Sequence, residues 1–239
     1  MSNIGIVIPA YHEEKNIIKL VKHIRKYTDS YIVIVDDSEN DKTEVIIKHN
    51  NLKNLYYYRR KKKLGRGSAV IFGFKKLFRK KNIKYFIEMD SDFSHKPSEL
   101  NRNLKKLINE NLDLLIGSRY LVKSKILNWP MNRIIFSRLA NLILEFLFRL
   151  DIKDYTNGYR FYSKKGLGIL INKKNFVSKQ FLILSEILLI FKQKKLKIKE
   201  IDSVFVNRIR GESSVNIGLI INSFLSMLKL FWKYRLQSN

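Results

Sequence analysis

The strongest constraint in this sequence is a repeated alternation. A short β-rich run ends in an acidic or glycine turn, and a stretch of helical period follows. Ile4–Ile8 stops at Pro9, and helical spacing then runs from Asn16 to Tyr27. Tyr31–Val35 ends at Asp36-Asp37, with Thr43–His49 as the next helix. Leu55–Arg59 precedes Gly65-Arg66-Gly67 and an amphipathic helix reaching Lys80. Tyr85–Met89 ends at Asp90-Ser91-Asp92, and Pro97 suits the first turn of a helix that runs to Asn109. Leu112–Ile116 then leads into Gly117-Ser118-Arg119. Strands separated by helices pair in parallel through right-handed crossovers. The expected fold is therefore α/β, a mainly parallel sheet with helices on both faces. Such sheets bind ligands beyond the carboxyl ends of their strands, and both acidic groups fall there.

The second half reads differently. In Ile134–Leu150 the polar residues Arg138, Asn141, Glu145 and Arg149 follow one narrow stripe, with Ser137 beside it, and nearly everything else is apolar. Ile217–Trp232 repeats the design with Asn222, Ser226, Lys229 and Lys233. Neither offers the roughly 20 apolar residues of a spanning helix. Both are expected in a membrane interface, with Lys and Arg at headgroup level. The competing expectation is packing on the sheet or on a membrane-anchoring partner subunit. The domain reading is a catalytic unit over 1–215 and an amphipathic C-terminal helix over 216–239.

Composition narrows the function. The 239 residues include no cysteine, which excludes a disulfide framework, a thiolate nucleophile and Cys-based metal sites. Lys plus Arg number 47 against 21 Asp plus Glu, a net charge of +26 that calls for an anionic partner, nucleic acid or an anionic membrane surface. The basic runs Arg59–Lys63 and Lys192–Lys199 do not interleave with aromatics as nucleic-acid modules do, so no nucleic acid is expected. No basic leader with a long apolar core opens the chain, and the expected location is cytoplasmic, peripheral on the cytosolic face of a membrane.

Asp90 and Asp92 stand two apart directly after a strand, so a side-chain period of two sends both carboxylates the same way. Together they suit one hard divalent cation, Mg²⁺ or Mn²⁺, with positions left open for a diphosphate. His12, His23, His49 and His95 lack metal-ligand spacing, and His95 alone lies near these acids. Gly65-Arg66-Gly67 opens a helix whose N–H groups suit phosphate, although neither full phosphate-loop fingerprint is present.

Several motifs carry a resemblance. Ile6–Glu14, Asp36-Asp37-Ser38 with Asp41 and Thr43, and Met89–His95 resemble the successive blocks of family 2 glycosyltransferases. Gly117-Ser118-Arg119-Tyr120, Trp129 with Arg133 and Ser137, Asp154-x-Thr156-x-Gly158-x-Arg160 and Arg208-x-x-Gly211-x-Ser213 are similar to the polyprenol-phosphate (dolichyl-phosphate) mannosyltransferase subfamily. The chain departs from that pattern at Val122-Lys123-Ser124, Leu184 and Ser214.

The resemblance implies a glycosyltransferase A fold, a nucleotide-sugar donor, a divalent metal and inversion at the anomeric carbon. By position, Pro9, Tyr11, Glu13, Asp37 and Asp90 would border the nucleotide sugar. Asp90, Asp92 and Ser94 would hold the metal. Arg119, Arg133, Ser137 and Arg208 would meet the acceptor phosphate, and Asp92, Arg119, Arg133 and Arg208 would carry catalysis. The expected reaction moves a hexose, mannose from GDP-mannose, onto a polyprenyl phosphate. The alternatives are another donor such as UDP-glucose, or a saccharide acceptor in surface-polysaccharide synthesis; less favoured is a basic nucleic-acid-binding protein, suggested by charge alone.

Overall fold

A computed structural model describes residues 3–60, 62–173, 175–177, 180, 182–207 and 226–234. The anticipated strands form as β1 (Ile4–Ala10), β2 (Tyr31–Asp36), β3 (Leu55–Arg59), β4 (Tyr85–Glu88) and β5 (Leu114–Ser118). Between them lie α1 (Ile17–Arg25), α2 (Lys42–Asn50), α3 (Arg66–Phe78) and α4 (Leu100–Asn109), the last entered through a 3₁₀ turn at Pro97–Glu99. The chain continues as β6 (Lys125–Leu127), α5 (Met131–Phe148), β7 (Arg160–Ser163), α6 (Lys164–Ile171), α7 (Ile183–Gln193), β8 (Ile198–Asp202) and β9 (Val204–Val206).

Seven strands make one sheet in the order β3-β2-β1-β4-β7-β5-β8, and β6 pairs with β9 in a small parallel ladder. The pairs β1–β2, β1–β4, β2–β3 and β5–β8 are parallel. β7 runs antiparallel to both β4 and β5, a reversal that the simple alternation of strand and helix did not contain. The strands are apolar on both faces, as a sheet covered on two sides requires. Val7, Val33 and Val35 face Phe74, Leu77 and the α6–α7 layer. Ile6, Ile8, Ile32 and Ile34 face Ile17, Leu20 and Leu107. Because β2 and β4 flank β1 on opposite sides, their carboxyl ends open a crevice there.

Close packing brings α3 over this crevice. A Cβ on Gly73 would stand 2.6 Å from Val7 Cγ1, so only glycine lets the helix lie so near the sheet. The start of α3 is thereby held above the end of β1.

Of the polar stripe of α5 only Asn141 is buried; Arg138 and Arg149 are exposed and Glu145 is half-buried. Asn141 is buried and donates to the Ser137 carbonyl at 2.8 Å, while its Oδ1 accepts the Tyr155 N–H at 2.7 Å. Met131, Ile135, Phe136, Leu139, Leu142 and Phe146 are exposed, Phe136 by 63% and Phe146 by 75%. So α5 docks through Asn141 and Leu144, with Phe148 packed against the core, and leaves a broad apolar side outside. No helix among the described residues is long and apolar enough to cross a membrane. Of the C-terminal segment, 226–234 is helical, with Leu230 and Tyr234 buried in the core and Trp232 exposed. The rest of 216–239 lies outside the described residues.

Candidate active site

A cleft of about 180 Å³ opens beyond the ends of β1, β2 and β4. It is lined by Pro9, Tyr11, Glu13, Asp37, Asp90 and Asp92, together with Lys63, Arg66 and Gln180. The strand ends thus gather every residue assigned from the sequence to the nucleotide sugar.

On the β1 side, Tyr11 donates to Glu39 Oε1 at 3.3 Å, and the Lys63 ammonium lies 4.1 Å from its ring centroid. Partial burial and the Glu39 charge raise the Tyr11 pKa. Asn16 donates to Glu13 Oε2 at 2.7 Å, fixing that carboxylate at the entry of α1. The β2 acids divide their work. Asp36 is fully buried and accepts from Ser38 N–H at 2.9 Å and Tyr57 Oη at 2.8 Å, a structural arrangement. Asp37 receives Arg60 in a bidentate pair at 2.6 and 2.7 Å and the Leu64 N–H at 2.9 Å. It therefore shapes the loop that closes the cleft as well as lining it.

The β4 acids are held just as firmly. Asp92 Oδ1 accepts the Ser94 N–H at 3.0 Å and the Ser94 hydroxyl at 2.5 Å, so Ser94 reaches the site through this carboxylate. Phe93 adopts φ 64°, a left-handed backbone rare for a bulky residue and typical of constrained functional loops. Asp90 Oδ1 accepts from Arg66 Nε at 2.8 Å. The donor set is carboxylate oxygen only, which suits Mg²⁺ or Mn²⁺. Among the described residues no group of three or more His, Asp or Glu stands where it could hold a metal ion. A cation at Asp90 and Asp92 would thus complete its shell with diphosphate oxygens and water, the open arrangement typical of Mg²⁺ at phosphate sites.

The second group of predicted residues assembles beside the first. Arg119 is buried and pairs with Asp154 through Nε at 2.8 Å and Nη2 at 2.7 Å, with Nη2 also reaching Thr156 Oγ1 at 2.7 Å. Burial would lower the Arg119 pKa, but Asp154 outweighs it and the guanidinium is held above its ordinary value. Arg133 stacks 4.1 Å from the Trp129 ring centroid and donates to Asn207 Oδ1 at 3.1 Å. One helical turn along α5, Ser137 Oγ accepts the Tyr120 hydroxyl at 2.6 Å. Arg208 lies outside the described residues.

His95 joins the two groups. Its Nδ1 accepts the Asp90 N–H at 3.1 Å, which leaves Nε2 to carry the proton and donate to Asn157 Oδ1 at 3.0 Å. Nε2 also lies 3.9 Å from Asp90 Oδ2. On its other side the ring stacks on Tyr159 at 4.8 Å and meets Phe205 at 5.4 Å, and Phe205 touches Trp129 at 5.2 Å. Glu186 is not a lining residue of the cleft. It is fully buried and accepts from Val177 N–H at 2.7 Å and Tyr234 Oη at 3.2 Å.

The sequence reading missed the Arg66 side chain and Asn157. A signal for Arg66 was present: a cation at the first position of a helix opposes the positive end of its dipole and needs carboxylate partners.

This crevice of strand-end acids beside buried guanidinium groups suits an enzyme of the glycosyltransferase class. Residues 5–168 match the family model for glycosyl transferase family 2, and the chain belongs to that family. It is 34% identical to the polyprenol monophosphomannose synthase of Mycolicibacterium smegmatis over 166 residues, which is 68% of this chain and 62% of that protein's length. It is 31% identical over 232 residues to an uncharacterized protein of Methanocaldococcus jannaschii, covering 95% of this chain and 90% of that one. The glucosyl-3-phosphoglycerate synthase of Mycobacterium tuberculosis, solved with Mn²⁺, UDP and phosphoglyceric acid, shares the fold with a TM-score of 0.70 and 16% identity over 96% of this chain and 78% of that one. The same synthase has also been solved with Mg²⁺ and UDP, at a TM-score of 0.65 and 15% identity over 95% and 79%.

Proposed function

We propose that this glycosyltransferase moves a hexose, mannose from GDP-mannose, onto a polyprenyl phosphate at the cytosolic face of a membrane, with inversion and with a divalent cation at Asp90 and Asp92. One observation carries the reading. A cleft of carboxylates suited to a nucleoside diphosphate adjoins the Arg119–Arg133 cluster through a single histidine, so two anions can be held side by side. The likeness to a polyprenol monophosphomannose synthase supports mannose as the sugar and a polyprenol phosphate as the acceptor.

An acceptor phosphate oxygen attacks the anomeric carbon as the carbon–oxygen bond to the nucleoside diphosphate breaks on the opposite face. A phosphate monoester is already anionic at neutral pH, so no strong general base is required. Holding the anions in line supplies most of the acceleration. A divalent cation held by Asp90 and Asp92 would neutralise charge on the departing diphosphate. Tyr11, Pro9 and Glu13 border the nucleotide, and Asp37 fixes the Leu64–Gly65 loop over it. Arg133 and Arg208 receive the acceptor phosphate, with Ser137 beside Arg133. Arg119, anchored by Asp154 and sharing the Trp129 ring with Arg133, supplies a fixed positive charge. The test is incubation of the chain with labelled GDP-mannose or UDP-glucose and a polyprenyl phosphate or a free saccharide, with Mn²⁺ or a chelator. Label from GDP-mannose should enter the lipid phase only with the metal present. Label from UDP-glucose alone, or label on the saccharide, would replace the proposed donor or acceptor.

The exposed apolar side of α5 supports contact with an anionic membrane surface, since Arg133 of the acceptor cluster lies in the first turn of that helix. The double substitution Phe136→Glu with Phe146→Glu is expected to weaken binding to anionic vesicles by at least about tenfold, given roughly 1.5–3 kcal/mol per buried aromatic side chain. Both residues are exposed, so thermal stability should hold. Unchanged vesicle binding would assign this side to a partner subunit instead. The division into a catalytic unit over 1–215 and a C-terminal helix over 216–239 belongs to the same proposal.

A further inference from the structure

Arg66 is a cation at an unfavourable address. It opens α3, where unpaired helix N–H groups already present positive potential, and no acid stands in that first turn. Its side chain is only 11% exposed. Nε donates to Asp90 Oδ1 at 2.8 Å, Nη1 to Glu88 Oε2 at 3.4 Å, and Nη2 to the Gly158 carbonyl at 3.3 Å. Gly158 makes the room, because a Cβ there would overlap the guanidinium. Burial alone would lower the Arg66 pKa, but Asp90 and Glu88 outweigh it and keep the group charged. Arg66 also lines the cleft, and a guanidinium carries more N–H donors than these contacts consume.

We propose that Arg66 is a built-in cation of the donor site: it binds the diphosphate directly and shares Asp90 with the divalent cation. The inference rests on reading the cleft as a nucleoside diphosphate site. Bidentate guanidinium–phosphate contacts suit such a ligand. A guanidinium already paired with Asp90 also repels a divalent cation approaching the same carboxylate. Arg66 therefore strengthens nucleotide binding when metal is absent and weakens metal binding when nucleotide is absent.

These opposed effects give the test, made by calorimetric titration of the full chain. GDP and UDP are titrated in chelator and in excess Mn²⁺, and Mn²⁺ is titrated alone. Arg66→Met should bind the nucleotides in chelator about tenfold more weakly than the unsubstituted chain, the factor one charge-assisted hydrogen bond is worth. It should bind Mn²⁺ alone several-fold more tightly. Arg66→Lys should sit between the two. Gly158→Ala, which keeps the arginine but expels it from its seat, should follow Arg66→Met and carries the test if that variant fails to fold. A purely structural Arg66 would weaken both affinities together, and that result, or no change in either, overturns the inference. Failure of the unsubstituted chain to bind GDP or UDP even with Mn²⁺ would instead remove the donor-site reading itself.

Discussion

Replacing Asp92 with alanine is expected to lower kcat/KM for sugar transfer by about 10²–10³-fold, the range seen when one preorganised electrostatic contact to a transition state is removed. Asp92 lies at the lip of β4, with its carboxylate oriented by both the N–H and the hydroxyl of Ser94. Among the described residues no third His, Asp or Glu joins Asp90 and Asp92 in a group that could hold a metal, so losing one carboxylate leaves too few protein oxygens for a hard cation. Steady-state kinetics with labelled donor and a direct Mn²⁺ titration should fall together. The melting temperature should move little, since the change removes hydrogen bonds worth about 1 kcal/mol each. Asp92→Asn separates the two roles. It retains an oxygen for Ser94 but not the charge, and it should be nearly as inactive as the alanine variant. Activity retained in either variant would remove Asp92 from the metal site.

The second large effect concerns stability. Asp154 is fully buried, and its carboxylate meets the Arg119 guanidinium, the Arg119 N–H at 2.9 Å and the Asn157 N–H at 3.0 Å. Burial pushes its pKa up, but Arg119 and the hydrogen bonds outweigh burial and hold it below the usual aspartate range. Asp154→Ala strands a buried guanidinium, and removing one partner of such a pair costs about 3–5 kcal/mol. Urea unfolding at neutral pH should register that loss. A depressed carboxyl pKa contributes stability above the unfolded value near 4, and the contribution disappears as pH falls through the still lower folded value. The gap between the original chain and the variant should therefore be full at neutral pH and shrink below about pH 4. Nearby Glu200 has the opposite sign, its pKa raised by burial, but it is present in both proteins and cancels in the comparison. A gap independent of pH down to the acid transition would mean that Asp154 is not charged in the fold.

Much of the frame could be read along the chain. Short, predominantly apolar β-rich runs, each closed by Pro9, Asp36-Asp37 or Asp90-Ser91-Asp92, located β1, β2 and β4. The doubly wound rule then placed their acids in one crevice. The motifs around Asp90, Asp92, Arg119 and Trp129 pointed to the glycosyltransferase family that the match over 5–168 establishes. These features are local, set by side-chain alternation, by turn chemistry and by residues within a few positions of one another.

The remainder depends on partners far apart in sequence. Nothing near Arg119 announces Asp154, 35 residues on, and nothing near Arg66 announces Asp90 and Gly158. The Asp154–Gly158 loop that leads into antiparallel β7 is anchored by Arg119 and Arg160. The amphipathic period of α5 was visible, but which side it buries was not. Periodicity separates a polar stripe from an apolar one, and the choice between them belongs to the surface against which the helix lies. Here that surface offers the Tyr155 N–H and the Thr156 hydroxyl, so Asn141 goes in while Phe136 and Phe146 stay out.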